Sequence, residues 1–343
     1  MIRRKNKIIL FVAALLFVSN AQAQDIHFSQ LNSAPLQVNP AFTAVDFDWR
    51  GFLNYKTQWS SVTEPYVTYA FSFEKAFFKK NWMNGFFGAG ITAFRDQAGD
   101  SHLSTTEATL NISSGVRVDD KNIIAGGIQG GYAQKSISTE NLRWESQYDG
   151  IQYDASLPTN EFFSRSEFSY SDFGGGLLWN FSSNEMYMTA NDDVKIHGGF
   201  SAFHFNRPDI SFLGSKDKLQ MKYIIHAGGL IGFKNTNISV LPTVMEMIQG
   251  PSHEFLYGGL FRFLLRPDTR YTGYLKRSSF SIGAYNRWND ALIVASQVEF
   301  SNYTIGLSYD VNISKFHAAT SYQGGIELSL RIVNSNPFLF QKK

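Results

Sequence analysis

The chain has 343 residues, with 31 basic and 29 acidic side chains, a formal charge of +2, no cysteine, 15% aromatic and 17% charged residues. So small a net charge excludes a partner bound mainly by phosphate neutralisation, and the missing cysteine excludes a disulfide framework, a thiolate metal site and a lipid-modified N-terminal cysteine. Many aromatics with few charges, against about 25% charged in ordinary soluble domains, point away from a simple water-soluble globule.

In chain order, "MIRRKNK" is a basic start, "IILFVAALLFV" an apolar core and "AQA" a small-x-small site ending at Ala23. This is the pattern of a secretory signal peptide over residues 1–23, removed to leave Gln24 as the mature N-terminus. Its core is too short for a bilayer helix of about 20 residues, and no later apolar run is long enough for one. Residues 24–48 follow as an irregular leader. "QDIHFSQLNSAPLQVNPAF" has two prolines, many amides and no clean period, and is expected to form neither a regular helix nor a strand. Pro35 and Pro40 bias Ala34 and Asn39 toward extended backbone.

From Trp49 onward the sequence alternates. In "WRGFLNYKTQW" one parity is Trp49, Gly51, Leu53, Tyr55, Thr57, Trp59, and the other is Arg50, Phe52, Asn54, Lys56, Gln58. One face is apolar with a tryptophan at each end; the other is polar except for Phe52. Such a segment fits a membrane strand between two aromatic girdles, with register fixed because a slip would put Arg50 and Lys56 into lipid. A half-buried strand of a soluble sandwich has the same period, and repetition decides between them. Thirteen more segments follow, from "YVTYAFSFEK" and "GFFGAGITAF" to "YTIGLSYDV" and "IELSLRIV", separated by polar or Gly/Asn/Asp turns. No helices alternate with them. "ISVLPTVMEM" is the weakest strand, because Pro242 removes a ladder donor. The fold class is therefore all-β: an antiparallel transmembrane barrel of about 14 strands over residues 49–343, with the leader as a periplasmic lid or a plug entering the lumen.

Connection lengths give an orientation. If the first strand starts in the periplasm, the long connections after Gln134, Asn206 and Asn312 fall outside and the turns "VDDKN", "KNTN" and "SNY" fall inside, as do "SSNEMYMTANDD" and "RPDTRYTGYLKRS", which are longer than the rule prefers. Both termini are then expected to be periplasmic. An arginine in place of lumen-facing Asn54 should be tolerated, whereas one in place of lipid-facing Leu53 should not.

No catalytic or cofactor constellation emerges. The seven histidines are scattered singly, without metal-ligand spacing, and read as isolated lumen or interface residues. No G-x-S-x-G elbow occurs, and the in-strand pairs such as Gly126-Gly127 and Gly198-Gly199 lack the strand, turn and helix succession of a phosphate loop. They read as relief of crowding and sites of bending. A barrel phospholipase made from a distant Ser and His stays as an unfavoured alternative, and a general solute channel as another.

At this point the residues resemble a family. Gln24-Asp25, Phe28-Ser29-Gln30, Pro35-Leu36, Asn39-Pro40-Ala41 and Asn54-Tyr55-Lys56-Thr57-Gln58-Trp59 are similar to the leader and first strand of the PorP/SprF family of Bacteroidetes type IX secretion and gliding motility. "HFNRPDISF", "GAYNRWNDAL" and "IGLSYDVNIS" resemble further family elements in order. Lys56 stands where arginine is usual, and Gln323-Gly324 where Ser-His is usual. The resemblance implies a non-enzymatic outer-membrane component without cofactor. It implies partners in the outer-membrane bilayer and in the periplasmic lipoprotein ring, the translocon or a large secreted adhesin, and no nucleic acid. Phe28, Gln30, Pro35, Asn39, Pro40, Asn54, Lys56, Gln58 and Trp59 are the candidates for plugging or partner binding.

Overall fold

Alternation at period 2 gives every strand an apolar and a polar face, and closing the sheet on itself turns the polar faces inward. A computed structural model describes residues 25–62, 64–78, 85–139, 142–183, 194–266, 277–315 and 317–334. The proposed signal peptide, Gln24 and the C-terminal "NPFLF" lie outside the described residues. The strands are β1 Trp49–Gln58, β2 Tyr66–Phe77, β3 Gly85–Ala98, β4 Leu103–Arg117, β5 Asn122–Ser136, β6 Glu167–Ser182 and β7 Val194–Phe203. β8 Lys222–Gly232, β9 Ile238–Gln249, β10 Ser252–Arg266, β11 Ser278–Arg287, β12 Ala291–Phe300, β13 Tyr303–Asn312 and β14 Gln323–Asn334 complete the wall. Each strand pairs antiparallel with its sequence neighbours, and β14 returns to pair with β1, closing a 14-stranded barrel. The seam is a full ladder from Trp49↔Asn334 to Gln58↔Gly325.

The outside is apolar all the way round. Leu53, Phe71, Ile91, Leu110, Ile128 and Leu177 are exposed on β1 to β6, and each later strand contributes at least one more. A water-soluble monomer rarely exposes so continuous an apolar belt, whereas a barrel in lipid requires one. In β1 the odd-numbered face points out and Arg50, Phe52, Asn54 and Lys56 are buried inside, as the alternation requires. Trp49 packs on Phe73 at one end of the strand, and Trp59 edge-on to Tyr66 at the other. No described helix is long and apolar enough to cross a membrane, which says nothing about strands.

Pro242 does sit inside β9. Its cost is local: the β9–β10 ladder runs through it, while the β8–β9 ladder skips from Gly228↔Thr243 to Ile231↔Val240. β6 begins at Glu167, well before the apolar stretch at Phe173, because its first residues put Ser169 and Ser171 outward and Phe168 and Asp172 inward. There the outside of the barrel has left the apolar belt.

The connections 137–166, 204–221 and 313–322 share one end, here the loop end. β1 begins and β14 finishes at the other, the base, with the turns 118–121, 233–237 and 301–302. The loop end also carries the two tight connections 250–251 and 288–290, so length alone separates the ends only in part.

A lipid-facing arginine costs about 2–4 kcal/mol near the midplane. Leu53→Arg should therefore weaken folding into lipid by about that amount, and Leu53→Phe should be close to neutral. Equilibrium unfolding from vesicles, with the unboiled and boiled gel mobilities compared as a check of closure, measures this. Equal stability of the two variants would contradict the assignment of the outer face.

Candidate functional site

The largest departure from an ordinary pore is inside the barrel. From Phe28 to Val45 every leader residue except Asn32 and Gln37 is buried. Leader residues also enter each of the three apolar clusters. Leu31 and Val38 pack with Phe203, Ile224, Met245 and Leu260. Leu36, Ala41, Phe42 and Val45 meet Phe86, Ala125 and Leu178, and Phe28 and Ala34 meet Ala70. The leader is in effect the core of the barrel.

Its course is diagonal, from the loop end to the base. The Asp25 backbone N–H donates to Gln249 Oε1 at 3.0 Å, and its carboxylate lies 2.5 Å from His204 Nε2 and 3.0 Å from Lys222 Nζ. His204 Nδ1 is 2.7 Å from Asp172. All of these wall groups are at the loop-end termini of β7, β8 and β9, or near that end of β6. Lys56 Nζ, on a side chain only 3% exposed, donates to the His27 carbonyl at 2.9 Å. His27 Nε2 is 3.2 Å from Glu254, but burial, Lys56 and Arg287 hold its pKa well below the usual imidazole value, so this contact is not an ion pair between two charges.

Ser29 is the next anchor. Its N–H donates to Glu327 at 2.8 Å, its hydroxyl donates to Asp310 at 3.1 Å, and Arg287 Nη2 reaches both Ser29 Oγ, at 3.0 Å, and Asp310, at 3.1 Å. Gln30, 1% exposed, accepts from Gln297 Nε2 at 2.7 Å. Asn54 Nδ2 donates to the Ser33 carbonyl at 2.9 Å, and Ser33 and Ser329 join through their hydroxyls at 3.2 Å.

The prolines then act differently from the expectation of an irregular chain. Pro35 occupies the first position of a one-turn helix, α1 Pro35–Val38, where the N–H it lacks is not needed, and Pro40 opens a 3₁₀ turn, Pro40–Phe42. A 3₁₀ turn also spans Leu31–Ser33. Asn39, extended between the helical turns at φ −157°, is fully buried. Its Oδ1 accepts from Ala41 N at 2.9 Å, while its Nδ2 donates to the Leu177 carbonyl at 2.9 Å and to His226 Nε2 at 3.1 Å. The Asn-Pro-Ala-Phe segment is thus pinned to the wall by one side chain that also caps its own turn.

The wall makes room for it with glycine. A Cβ on Gly127 would lie 2.5 Å from Pro40 C and Ala41 N, one on Gly199 would lie 2.6 Å from His226 Nε2 and 2.8 Å from Asn39 Nδ2, and one on Gly176 would overlap Asn39 Oδ1. These glycines are read correctly as relief of crowding, but what crowds them is the leader. Toward the base, Ser113 Oγ donates to the Thr43 carbonyl at 2.5 Å and Ala44 N donates to Glu74 at 3.0 Å. Glu74 in turn pairs with Arg50, whose guanidinium lies over Phe47 and Phe52, 5.1 Å from each ring.

Of the candidate residues, Phe28, Gln30, Pro35, Asn39, Pro40, Asn54 and Lys56 are buried where leader and wall meet. Gln58 and Trp59 stand at the loop end of β1. Three expectations are corrected. The leader does form helical turns. The histidines are not all isolated, because His27 belongs to the docked leader, His204 and His226 hold it, and Phe42 lies 5.2 and 5.1 Å from the His197 and His226 rings. Asn54→Arg is not harmless, since the Ser33 backbone occupies the space. Asp25, the first described residue, lies at the loop end, and Asn334, the last, at the base. The groups that composition and spacing missed are Asp25, Ser29, Glu74, His204, Glu254, Arg287, Asp310 and Glu327. Their signals are that the strand members carry charge on the inward parity and that Asp25, Ser29, His204, Arg287 and Asp310 fall within the segments that resemble the family. Among the described residues no group of three His, Asp or Glu is arranged to hold a metal ion.

The chain matches the family described as type IX secretion system membrane protein PorP/SprF over residues 20–332. No curated protein matches it. Among solved structures it is similar to the translocator domain of the autotransporter NalP from Neisseria meningitidis, at 12% identity, 88% of this chain, 92% of that chain and a TM-score of 0.34. It is also similar to BamA from Haemophilus ducreyi lacking POTRA domains 1–3, at 8% identity, 84% of this chain, 70% of that chain and 0.41. A third is the TodX deltaS2S3 mutant monoaromatic hydrocarbon channel, at 11%, 87%, 93% and 0.43.

Two outcomes follow from the anchors. Asn39→Ala removes the side-chain donor to the Leu177 carbonyl and the acceptor of the Ala41 N–H, so it should raise hydrogen exchange across 38–43 by an amount equivalent to about 1–3 kcal/mol while the strands stay protected. Unchanged exchange there would contradict the pinning role. The second concerns pH. Burial works against a charged His204, yet Asp25 and Asp172 overcome it and push its pKa up to about 9. Burial likewise opposes the Asp25 carboxylate, but Lys222 and His204 hold it well below the usual range. The histidine's contribution is complete below its free value of 6.5 and is lost as pH rises through about 9, whereas the aspartate's is lost only as pH falls below the ordinary carboxylate range. A fluorophore on Ile26→Cys should therefore gain mobility above about pH 9, and His204→Gln should abolish that step. A pH-independent signal in the unmodified chain would refute the anchor.

Proposed function

Because the chain belongs to the PorP/SprF family of type IX secretion system membrane proteins, we propose that it acts as a plugged, non-enzymatic outer-membrane barrel whose role is to bind a protein partner. That partner is the secretion machinery or a secreted surface adhesin. The observation that carries this reading is the leader itself. A general solute channel needs an open, hydrated lumen, and here the lumen holds a buried segment fixed by charged, polar and apolar contacts along its whole length. A cavity of about 20 Å³, room for roughly one water, lies between Ile26–Val38 and the wall at Lys222, Ile224, Met245 and Met247.

We take the base as periplasmic, because the two longest connections, 137–166 and 204–221, lie at the loop end. The leader's first residues are then delivered to the outer mouth of the barrel, close to the long loops. Those loops expose Ile151 at 87%, Phe162 at 78% and Leu213 at 60%, apolar groups set beyond the strands and suited to a protein surface.

Gly176→Val places a branched side chain where Asn39 sits and leaves the outer wall unchanged. The unmodified barrel should give no steady conductance in a planar bilayer and should co-purify with type IX components or a secreted client from native membranes. The variant, still heat-modifiable, should conduct and lose the partner. A steady pore in the unmodified protein, or undiminished co-purification with the leader displaced, would overturn the reading.

A further inference from the structure

The outer face of the wall is not evenly filled. On β2 to β5 the outward side chains form rows across the ladders. The row nearest the loop end is Tyr69–Arg95–Thr106–Gln134, the next is Phe71–Ala93–Ala108–Tyr132, and the third is Phe73–Ile91–Leu110–Gly130. The two alanines in the middle of the second row leave a slot of about 440 Å³. Phe71 and Tyr132 stand at its ends and Ile91 and Leu110 on its base side, all four exposed. Gly130 carries the slot one step further toward the base, where the ring of its neighbour Phe173 overhangs it: a Cβ on Gly130 would lie 3.3 Å from two ring carbons. Bulky groups therefore close the slot on three sides, and the fourth opens toward Arg95 and Thr106.

Arg95 is exposed and has no hydrogen-bond or ion-pair partner among the described residues. The acids of the surrounding strands are turned away, engaged or distant. Glu74, Asp96 and Glu107 share the inward parity; Glu74 pairs with Arg50, and Asp96 accepts from Thr68 at 2.6 Å. Glu167 is three strands away on β6 and accepts from Gln134 Nε2 at 3.2 Å. Glu64 and Asp100 belong to the loop-end connections, each five residues beyond the Arg95 row, about 16 Å along the strand.

We propose that this slot, with Arg95 at its rim, binds a membrane lipid carrying an anionic phosphate headgroup, with an acyl chain in the slot and the phosphate on the guanidinium. The slot faces the bilayer, and filling it restores the contacts that an empty gap forfeits. A slim chain can follow its oblique course. A helix, about 10–12 Å across, does not fit between Phe71 and Tyr132, which stand three strand spacings apart, about 14 Å before the width of their rings is subtracted. An arginine on the lipid face is costly at the midplane and tolerated near the interface, and Arg95 belongs to the first polar row above the apolar belt, at headgroup level. Its guanidinium matches two phosphate oxygens at once, and the Tyr69 and Thr106 hydroxyls flank it in the same row. The site uses neither the leader nor a protein partner, so it stands apart from the partner-binding reading.

The test reconstitutes the full chain in nanodiscs of phosphatidylcholine with a minority of phosphatidylglycerol, extracts it into mild detergent and identifies the retained lipid by native mass spectrometry. Phosphatidylglycerol should be enriched about fivefold over its share, the ratio expected of one basic side chain at a headgroup. Arg95→Gln should abolish the enrichment. Ala108→Leu, which fills the slot and keeps the arginine, should reduce it as far. Lys75→Gln, which removes an outward cation near the base end of β2, should leave it unchanged, and so should millimolar inorganic phosphate, which lacks the chain. All three variants lie on the outer face, away from the leader, and should stay heat-modifiable. Equal retention of the two lipids, undiminished enrichment in Arg95→Gln or Ala108→Leu, an equal loss in Lys75→Gln, or displacement by inorganic phosphate would overturn the proposal.

Discussion

Everything in this molecule depends on one packing relation: the inner wall of the barrel is shaped to the residues Phe28–Val45. An antiparallel barrel satisfies its backbone by closure alone, so the strands need no core to make their hydrogen bonds. The side chains they turn inward are another matter. Leu256, Leu260 and Ile293 are fully buried, and Leu31 and Val38 of the leader belong to their cluster. Glycines at 127, 176 and 199 would leave hollows if the Asn-Pro-Ala-Phe segment were elsewhere. Wall and leader therefore specify each other.

Charge does a different job from the apolar contacts. Burying an ion pair is close to neutral in stability, because desolvation offsets the attraction, whereas leaving one partner alone costs several kcal/mol. The Ser29 contacts with Arg287, Asp310 and Glu327, and the Ala44 N–H on the Arg50-paired Glu74, thus add less to affinity than to placement: a leader shifted by one residue would take the Ser29 N–H from Glu327 and the Ala44 N–H from Glu74. Such anchors fix register at both ends of a segment whose middle is held by shape. The Asp25–His204–Lys222 cluster lies nearest the loop-end mouth and is the anchor that a change in pH reaches first.

The strands were legible because lipid outside and polar residues inside impose a period of two, and β11, β12 and β13 match their sequence segments almost residue for residue. Legibility failed where that contrast fails. The first residues of β6 expose Ser169 and Ser171 instead of apolar groups, so the strand starts earlier than its greasy run. The leader was legible as a constrained polar segment, from Pro35, Pro40 and its amides, but not in its course. Nothing local in "FSQLNSAPLQVNP" says that Ser29 meets Asp310 or that Asn39 meets Leu177, since these partners are remote in sequence and chosen by the closed wall.

The most direct measurement uses the absence of native cysteine. Ser33 Oγ and Ser329 Oγ are 3.2 Å apart across the leader and β14, a spacing that suits a disulfide between replacing cysteines. If the leader is the core of the barrel, Ser33→Cys with Ser329→Cys should oxidise nearly completely in native membranes and give a cross-linked, heat-modifiable barrel. A folded barrel in which both thiols stay reduced and open to a water-soluble maleimide would contradict the account.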